Sequence, residues 1–270
     1  MIDTHSHIYS EEFDADRNEV IRRAQEAGVT KIIMPNVDSE SLQRMLDVEK
    51  KYPDFCCAAI GLHPTSVKEN YRDELALVKN QLERRKYAAI GEIGLDLYWD
   101  KTFYNEQVTA LQTQVQWALD YNLPIIIHVR DSHNETMEAL QPFKGKGLKG
   151  VFHCFTGGKE EATEIFELGE FMLGIGGVVT FKNSGLAESL EDIPLTKLVL
   201  ETDSPYLAPT PYRGKRNEPA FIALIRDRLA AVYGVSPQEI ERITTANSSF
   251  LVGCKHGVPF AQNRSIARIR

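Results

Sequence analysis

The chain has 270 residues, of which 43% are hydrophobic and 26% are charged, values that are ordinary for a globular protein and exclude disordered and fibrous classes. Its formal net charge of −7 argues against a broad basic face that grips nucleic acid. A nucleic-acid substrate is not excluded, because bound divalent cations supply positive charge where a phosphate must lie.

Short apolar runs alternate with amphipathic stretches along the chain, which predicts strands that alternate with helices. The strands are predicted at Met1–Thr4, Lys31–Met34, Phe55–Ile60, Tyr87–Glu92, Pro124–His128, Gly150–His153, Phe171–Ile175 and Lys197–Glu201. The helices are predicted at Asp14–Ala27, Ser39–Lys50, Arg72–Arg85, Thr102–Tyr121, Ser132–Leu140, Lys159–Glu167, Gly185–Leu190, Pro219–Tyr233 and Pro237–Leu251.

This alternation predicts an α/β fold, a single (β/α)8 TIM-type barrel that forms one domain over residues 1–270. The sequence has no internal repeat and no linker rich in glycine, serine and proline that would divide it. A doubly wound open sheet is the competing fold, but such a sheet would usually carry a glycine-rich phosphate loop after its first strand. No such loop is present, and residues 257–270 are expected to form a surface tail.

The expected location is the cytoplasm. No apolar run approaches the roughly 18 residues that a membrane span needs, and the N-terminus lacks the basic and apolar regions of a signal peptide. The cysteines, Cys56, Cys57, Cys154 and Cys254, form neither a CxxC pair nor a disulfide framework. They are expected to stay reduced and to pack as small hydrophobic residues.

Acids and histidines recur at the predicted C-terminal ends of the strands, where a barrel gathers its catalytic groups. His5 and His7 are two residues apart, so both point to one side of an extended segment. His128 and His153 each end an apolar strand, where a polar ring has little reason to lie unless it is bonded. These positions predict a divalent-metal site at this face. The candidate ligands are His5, His7, Glu92, His128, His153 and Asp203.

The type of ligand limits the choice of metal. Four imidazoles and two carboxylates without a thiolate suit Zn²⁺, Mn²⁺, Fe²⁺ or Co²⁺, and Mg²⁺ less naturally. Six ligands exceed what one tetrahedral ion needs, so two ions about 3.5–4 Å apart, bridged by a carboxylate, fit the count better. Such a pair lowers the pKa of a bound water and stabilises both the attacking and the leaving oxygen of a phosphoryl displacement. Asp203 can ligate and also accept a proton from the attacking water.

Other polar residues near this face are expected to orient ligands or substrate. His63 and Asp96 are placed on loops over the face, with turn bonding and capping as alternative roles. Glu201 precedes Asp203 by two residues and shares its side of the strand, which predicts that Glu201 supports a metal ligand.

Three arginines are candidates for holding phosphate oxygens in bidentate fashion. They are Arg130 at a strand end, and Arg213 and Arg216 in the run RGKR, for which a solvated charge run is the alternative. Other hydrolytic chemistries find no support, because the sequence has neither a GxSxG elbow nor a P-loop. Cys154 beside His153 cannot form a nucleophile–base pair, since adjacent strand residues point to opposite faces.

Seven motifs, in this order along the chain, resemble those of the TatD family of metal-dependent deoxyribonucleases within the amidohydrolase-like metal barrels. They are DTHSH at 3–7, GLHP at 61–64, GEIGLD at 91–96, PIIIHVR at 124–130, HCFTG at 153–157, ETDSPYLAP at 201–209 and RGKRNEP at 213–219. The last two are the most specific, whereas H-x-H alone occurs in many metal hydrolases. Together they span most of the chain.

The resemblance implies a role for each ligand. It assigns one ion to His5 and His7, a second ion to His128 and His153, and a bridge to Glu92. Asp203 then ligates and acts as the base, so that Asp203 and Glu92 are the catalytic carboxylates. The resemblance further implies two divalent ions (Mg²⁺, Mn²⁺ or Zn²⁺) and 3′-to-5′ exonuclease action on DNA, single-stranded or at 3′ ends.

The sequence therefore predicts a divalent-metal-dependent hydrolase and favours a deoxyribonuclease that uses a metal-bound hydroxide in line with the leaving sugar oxygen. One alternative is hydrolysis of small esters or amides, or of an aminoacyl-tRNA ester, since one metal barrel serves several leaving groups. Another is a metal-binding protein whose site is idle. No membrane partner is expected, and a monomer is compatible with the sequence.

Overall fold

The computed structural model describes residues 1–251, in which strands and helices alternate. The strands are β1 Ile2–Asp3, β2 Lys31–Pro35, β3 Cys56–Ala59, β4 Ile90–Asp96, β5 Ile125–Arg130, β6 Lys149–Phe152, β7 Glu170–Ile175 and β8 Leu198–Leu200. The helices are α1 Arg17–Glu26, α2 Ser39–Lys51, α3 Tyr71–Arg84, α4 Tyr104–Tyr121, α5 His133–Leu140, α6 Lys159–Leu168, α7 Leu186–Leu190, α8 Ile222–Tyr233 and α9 Pro237–Asn247.

The eight strands are parallel and close into a ring. In one sheet the strand order is β1-β2-β3, and in the other it is β4-β5-β6-β7-β8, so each strand is hydrogen-bonded to the next one along the chain. A parallel bridge between Ile60 and Ile90 joins the end of β3 to β4, and a second bridge between Ser6 and Ser204 joins the segments that follow β1 and β8. The predicted barrel is therefore confirmed, with the ends of all strands gathered at one face.

Apolar side chains fill the barrel on both faces of its strands. Ile125 and Ile127 of β5 pack in the large cluster that contains residues of the surrounding helices, whereas Ile126 belongs to a second cluster. Since alternate strand residues face opposite sides, the second cluster occupies the interior of the ring. Its members are Ile33, Cys57, Ala59, Ala88, Ala89, Ile126, Val151, Val199 and Leu251.

Strand β4 lies further along the chain than its sequence pattern indicates. The apolar run predicts Tyr87–Glu92, but the strand runs Ile90–Asp96 through two glycines, which usually weaken a strand. Gly94 has a φ of 151°, and a Cβ there would lie 1.9 Å from the His128 carbonyl oxygen, so only glycine allows β5 to approach this closely. The prediction of a loop position for Asp96 is wrong, because Asp96 is the last residue of β4.

Several helices begin or end in 3-10 turns rather than in the predicted α-helix. The first helix begins at Arg17 instead of Asp14, after a 3-10 turn at Glu11–Phe13, and α8 follows a 3-10 turn at Pro219–Phe221. Among the described residues, no helix is long and apolar enough to cross a membrane. Cys56 and Cys57 are buried in β3, while Cys254 and the predicted tail at 257–270 lie outside the described residues.

Candidate active site

A cluster of polar side chains caps the interior of the barrel at the C-terminal ends of the strands. Its position follows from the strand alternation, because His128 continues the inward side of Ile126, and His153 continues that of Val151. The structure thus brings together all six predicted metal ligands, along with His63, Asp96 and Glu201. The cluster comprises His5, His7, His63, Glu92, Asp96, His128, His153, Glu201 and Asp203.

One side of the cluster is formed by His5, His7 and Asp203 around one oxygen of Glu92. Glu92 Oε2 lies 3.1 Å from His5 Nε2 and 3.6 Å from His7 Nε2. The two imidazole nitrogens lie 3.2 Å apart. Asp203 Oδ1 lies 3.7 Å from each of them. Four electron-pair donors therefore converge on one small volume.

The other side of the cluster surrounds the second oxygen of Glu92. Glu92 Oε1 lies 2.8 Å from His153 Nε2 and 2.9 Å from His128 Nδ1. These two ring nitrogens lie 3.3 Å apart. The Glu92 carboxylate, only 3% exposed, thus divides its oxygens between two groups of imidazoles. This is the arrangement expected of a carboxylate that bridges two cations.

The charge states suit cation binding on the first side. Burial lowers the pKa of His5 well below its ordinary value and lowers that of His7 to about 4, so both rings are neutral. Burial opposes ionisation of Glu92, but the imidazoles around it hold its pKa well below the usual range. Neutral imidazoles and an ionised carboxylate are the forms that coordinate metal.

A tyrosine fixes which nitrogen of His7 faces the cluster. Tyr9 Oη donates a hydrogen bond to the Pro35 carbonyl oxygen (2.6 Å) and therefore accepts one from His7 Nδ1 (2.9 Å). With its proton on Nδ1, neutral His7 presents the lone pair of Nε2 to Glu92. Sequence reasoning missed Tyr9, because its contact with β2 depends on the packing of two strands.

Each imidazole on the second side has a carboxylate behind it. His128 Nε2 lies 3.0 Å from Asp96 Oδ2, and His153 Nδ1 lies 3.5 Å from Glu201 Oε1. Burial opposes protonation of both rings, but Asp96 and Glu92 raise the pKa of His128, and Glu92 and Glu201 raise that of His153 well above its ordinary value. Carboxylates of this kind orient histidines that bind metal. The role of Glu201 as the support of a metal ligand stays a prediction.

His63 is held as a hydrogen-bond donor. The Thr65 amide donates to His63 Nδ1 (3.1 Å), and burial lowers the pKa of His63, so the single proton of the neutral ring lies on Nε2. That nitrogen is 3.4 Å from Glu92 Oε1. Distance alone groups His63 with Glu92 and His128 as possible ligands, but a protonated nitrogen has no lone pair for a cation. The position favours the predicted role of orienting substrate.

Asp203 is the most accessible carboxylate on the first side. Its side chain is 13% exposed, and its backbone, with a φ of 55°, donates to the His5 carbonyl oxygen (2.9 Å). Burial raises the pKa of Asp203 to about 7, and His153 opposes this rise while Glu92 adds to it. A carboxylate with a pKa near 7 can exchange a proton with water at neutral pH.

Two further buried residues hold the end of β8 in place. Asp3 accepts hydrogen bonds from the Thr202 amide (2.9 Å) and hydroxyl (2.6 Å). Asn217 Nδ2 donates to the carbonyl oxygens of Thr202 and Tyr206, each at 2.7 Å. The sequence analysis gave neither residue a role. Asp3 lies inside the motif 3–7 and Asn217 inside the motif 213–219, and this membership was the one sign that they matter to the site.

The three arginines predicted to hold phosphate lie in different surroundings. Arg130, the last residue of β5, is exposed and stacks on aromatic rings of the neighbouring loop. The guanidinium of Arg213 lies 4.5 Å from the centre of the Phe181 ring. Arg216 donates to both carboxylate oxygens of Asp16, at 2.8 and 2.7 Å. This engagement favours an anchoring role for Arg216 over the predicted phosphate contact.

The residues present fit divalent cations. On each side of Glu92, lone pairs of two imidazoles and a carboxylate face one another at about hydrogen-bond distance, which is stable only with a proton or a cation between them. In addition, the buried Nδ1 of His5 has no hydrogen-bond partner within residues 1–251. The number and identity of the ions stay predictions.

Comparison with known proteins gives consistent matches over nearly the whole chain. The family model described as TatD related DNase matches residues 2–253. The chain is 38% identical to the uncharacterized metal-dependent hydrolase YabD of Bacillus subtilis, over 93% of this chain and 98% of that one. It is 33% identical to the 3′-5′ ssDNA/RNA exonuclease TatD of Pantoea ananatis, over 94% and 99% of the two chains. The crystal structure of YjjV, a TatD homologue from Escherichia coli, superposes with a TM-score of 0.86 at 32% identity, covering 93% of this chain and 97% of that one.

Proposed function

Because this chain belongs to the family of TatD-related DNases and is a metal-dependent hydrolase, we propose that it hydrolyses phosphodiester bonds of DNA, releasing nucleotides from 3′ ends of single strands. The exonuclease name of one relative supports the substrate. The observation that carries the proposal is the Glu92 carboxylate, whose Oε2 lies beside His5 and His7 while its Oε1 lies beside His128 and His153. Two cations placed there would match the two oxygens that a phosphoryl transfer must stabilise.

The residues that would hold the cations are the six ligands predicted from sequence: His5, His7, Glu92, His128, His153 and Asp203. When bound, divalent cations supply positive charge to the phosphate oxygens and lower the pKa of water. Asp96 and Glu201 keep the rings of His128 and His153 turned towards Glu92.

Proton transfer and substrate contact fall to the more accessible residues. Asp203, whose side chain is the more exposed carboxylate on the first side, would accept a proton from the attacking water. The protonated Nε2 of His63 can donate to a non-bridging phosphate oxygen, and the exposed guanidinium of Arg130 can hold the neighbouring phosphate. The cytoplasmic location stays a prediction.

The test is digestion of single-stranded DNA labelled at its 3′ or 5′ end, with Mg²⁺ or Mn²⁺ added. The wild type is expected to release labelled mononucleotide at once from the 3′-labelled strand and to shorten the 5′-labelled strand stepwise. His128→Ala is expected to do neither. His133→Ala is the matched control, because His133 lies outside the cluster and pairs with Glu164 at 2.8 Å. Intact DNA with the wild type would overturn the proposal and direct attention to small esters, amides and aminoacyl-tRNA.

A further inference from the structure

The loop after β4 exposes two large aromatic side chains beside the polar cluster. Tyr98 is 53% exposed and Trp99 is 70% exposed. Their ring centres lie 4.7 Å apart in an edge-to-face arrangement. Exposing two adjacent aromatic rings costs solvation free energy that a folded protein usually avoids, so such a patch indicates a binding surface.

An arginine from the neighbouring strand covers part of this patch. The Arg130 guanidinium carbon lies 4.0 Å from the centre of the Tyr98 ring and 5.1 Å from that of Trp99. Within residues 1–251 it makes no ion pair. The guanidinium is thus oriented by stacking while its N–H groups stay available to an anion.

Backbone hydrogen bonds connect this patch directly to the candidate metal site. The Tyr98 amide donates to Asp96 Oδ1 (3.1 Å), and the other oxygen of Asp96 contacts His128. The Leu97 amide donates to the Arg130 carbonyl oxygen (2.9 Å). Tyr98 therefore follows Asp96 by only two residues, and Asp96 contacts His128, which lies beside Glu92.

We propose that Tyr98, Trp99 and Arg130 form a stacking platform for an unpaired nucleobase of the strand whose phosphodiester lies at the metal site. This inference rests on the proposed function and adds the element that would select single strands. Aromatic rings stack on any base, which gives affinity with little sequence preference. A base inside a duplex is already stacked on both faces and cannot lie on Trp99.

The charge of the chain explains why such a platform is needed. A net charge of −7 argues against a broad basic face that would supply affinity through many phosphate contacts and counterion release. Stacking on an aromatic ring supplies affinity that salt does not screen. Arg130 adds one localised cationic contact at the point where the strand approaches the site.

Fluorescence gives a direct test, because Trp99 and Trp117 are the only two tryptophans of the chain. In a Trp117→Phe variant, the emission comes from Trp99 alone. The titrants are oligothymidylate, an abasic oligonucleotide of equal length and a blunt duplex, each with a cleavage-resistant phosphorothioate backbone, so that the metal-loaded protein can be used. Oligothymidylate is expected to quench the emission, and the other two are expected to leave it nearly unchanged. Equal quenching by the abasic strand, or none by oligothymidylate, would overturn the platform.

Steady-state kinetics gives a second test. Trp99→Ala is expected to raise KM for single-stranded DNA about tenfold, in line with the loss of one stacked base, with a much smaller change in kcat. Trp99→Phe, which keeps a ring, is expected to stay close to the wild type, and Val235→Ala controls for loss of an exposed apolar side chain elsewhere. A wild type that cleaves DNA without Trp99 quenching disproves the platform alone. Quenching by oligothymidylate without cleavage disproves the nuclease function alone.

Discussion

Glu92 Oε1 lies 2.8 Å from His153 Nε2, although Glu92 belongs to β4 and His153 follows β6. The contact reaches across β5, whose His128 lies beside both residues. Three strands thus meet at a single buried carboxylate. The properties of the site are expected to depend on this carboxylate more than on any one imidazole.

Replacing Glu92 by glutamine is expected to abolish metal binding on both sides of the cluster. The amide keeps the volume of the side chain, but it removes the charge shared by the two groups of imidazoles and turns one oxygen into a donor that faces histidines. Turnover should fall by at least about 100-fold. Metal content per chain, measured by elemental analysis after dialysis, checks the cause. Glu164→Gln is the surface control, and a Glu92→Gln protein that retains its full metal content would contradict the bridging role.

Moving Glu201 without removing it is expected to weaken metal binding as well. A Cβ added at Gly174 would lie 2.1 Å from Glu201 Oε2, whereas one added at Gly176 would come no closer than 3.8 Å to that side chain. Gly174→Ala should therefore displace the carboxylate behind His153 and lower metal affinity about 10- to 100-fold. Gly176→Ala is the matched control. Equal metal affinities of the two variants, by calorimetric titration, would show that Glu201 does not position His153.

Metal binding is expected to release protons and to strengthen as the pH rises. Against the effect of burial, Asp96 and Glu92 raise the pKa of His128, and Glu92 and Glu201 raise that of His153, so in the ion-free protein these rings keep their protons to a higher pH than a free imidazole does. A cation requires the neutral rings and displaces those protons. Mn²⁺ titration in weakly buffered solution with a pH indicator should show acidification, and affinity at pH 8 should exceed that at pH 6. Binding without acidification, and with no dependence on pH, would refute the charge states described here.

The ion pair between Asp16 and Arg216 is expected to stabilise the fold at neutral pH and to lose this effect in acid. The Arg216 hydrogen bonds lower the pKa of Asp16, so their contribution is complete above the unfolded-state pKa of about 3.9 and is lost as the pH falls through the lower folded-state value. Solvent screening keeps it at or below about 1 kcal/mol. Urea unfolding should therefore find Asp16→Asn less stable than the wild type at pH 7, with a smaller difference at pH 3. Glu19→Gln on the exposed side of α1 is the control. An equal deficit at both pH values would contradict this assignment.

The positions of the candidate ligands could be predicted from sequence because most of them follow an apolar run, and the direction of that run sets the side on which the next residues lie. His128, after three isoleucines of β5, is the clearest case. Strand β4 could not be placed correctly, since glycine usually marks the end of a strand, whereas Gly94 is the residue that lets two strands approach. That requirement depends on the partner strand and leaves no local pattern.

Roles that depend on a proton could not be predicted either. His7 donates from Nδ1 to Tyr9, which leaves the lone pair of Nε2 free for a cation. His63 accepts at Nδ1 from the Thr65 amide, which leaves its proton on Nε2 as a donor. Thr65 is near His63 in sequence, but the conformation that aims its amide at the ring is a property of the 3-10 turn. The exposure of Tyr98 and Trp99 could not be predicted either, because it depends on how the loop after β4 packs in the folded protein.

The ring closes where the segments after β1 and β8 meet, and Asp203 Oδ1 lies 3.7 Å from His5 Nε2 at that seam. A cation held between these two residues would fasten the first strand to the last. Its binding free energy would then add to the stability of the whole barrel, by about 2.7 kcal/mol at a concentration 100 times the dissociation constant. Loss of the metal would therefore lower both the catalytic activity of the protein and its resistance to proteolysis. In a metal-starved cell, the lifetime of the protein would be shorter.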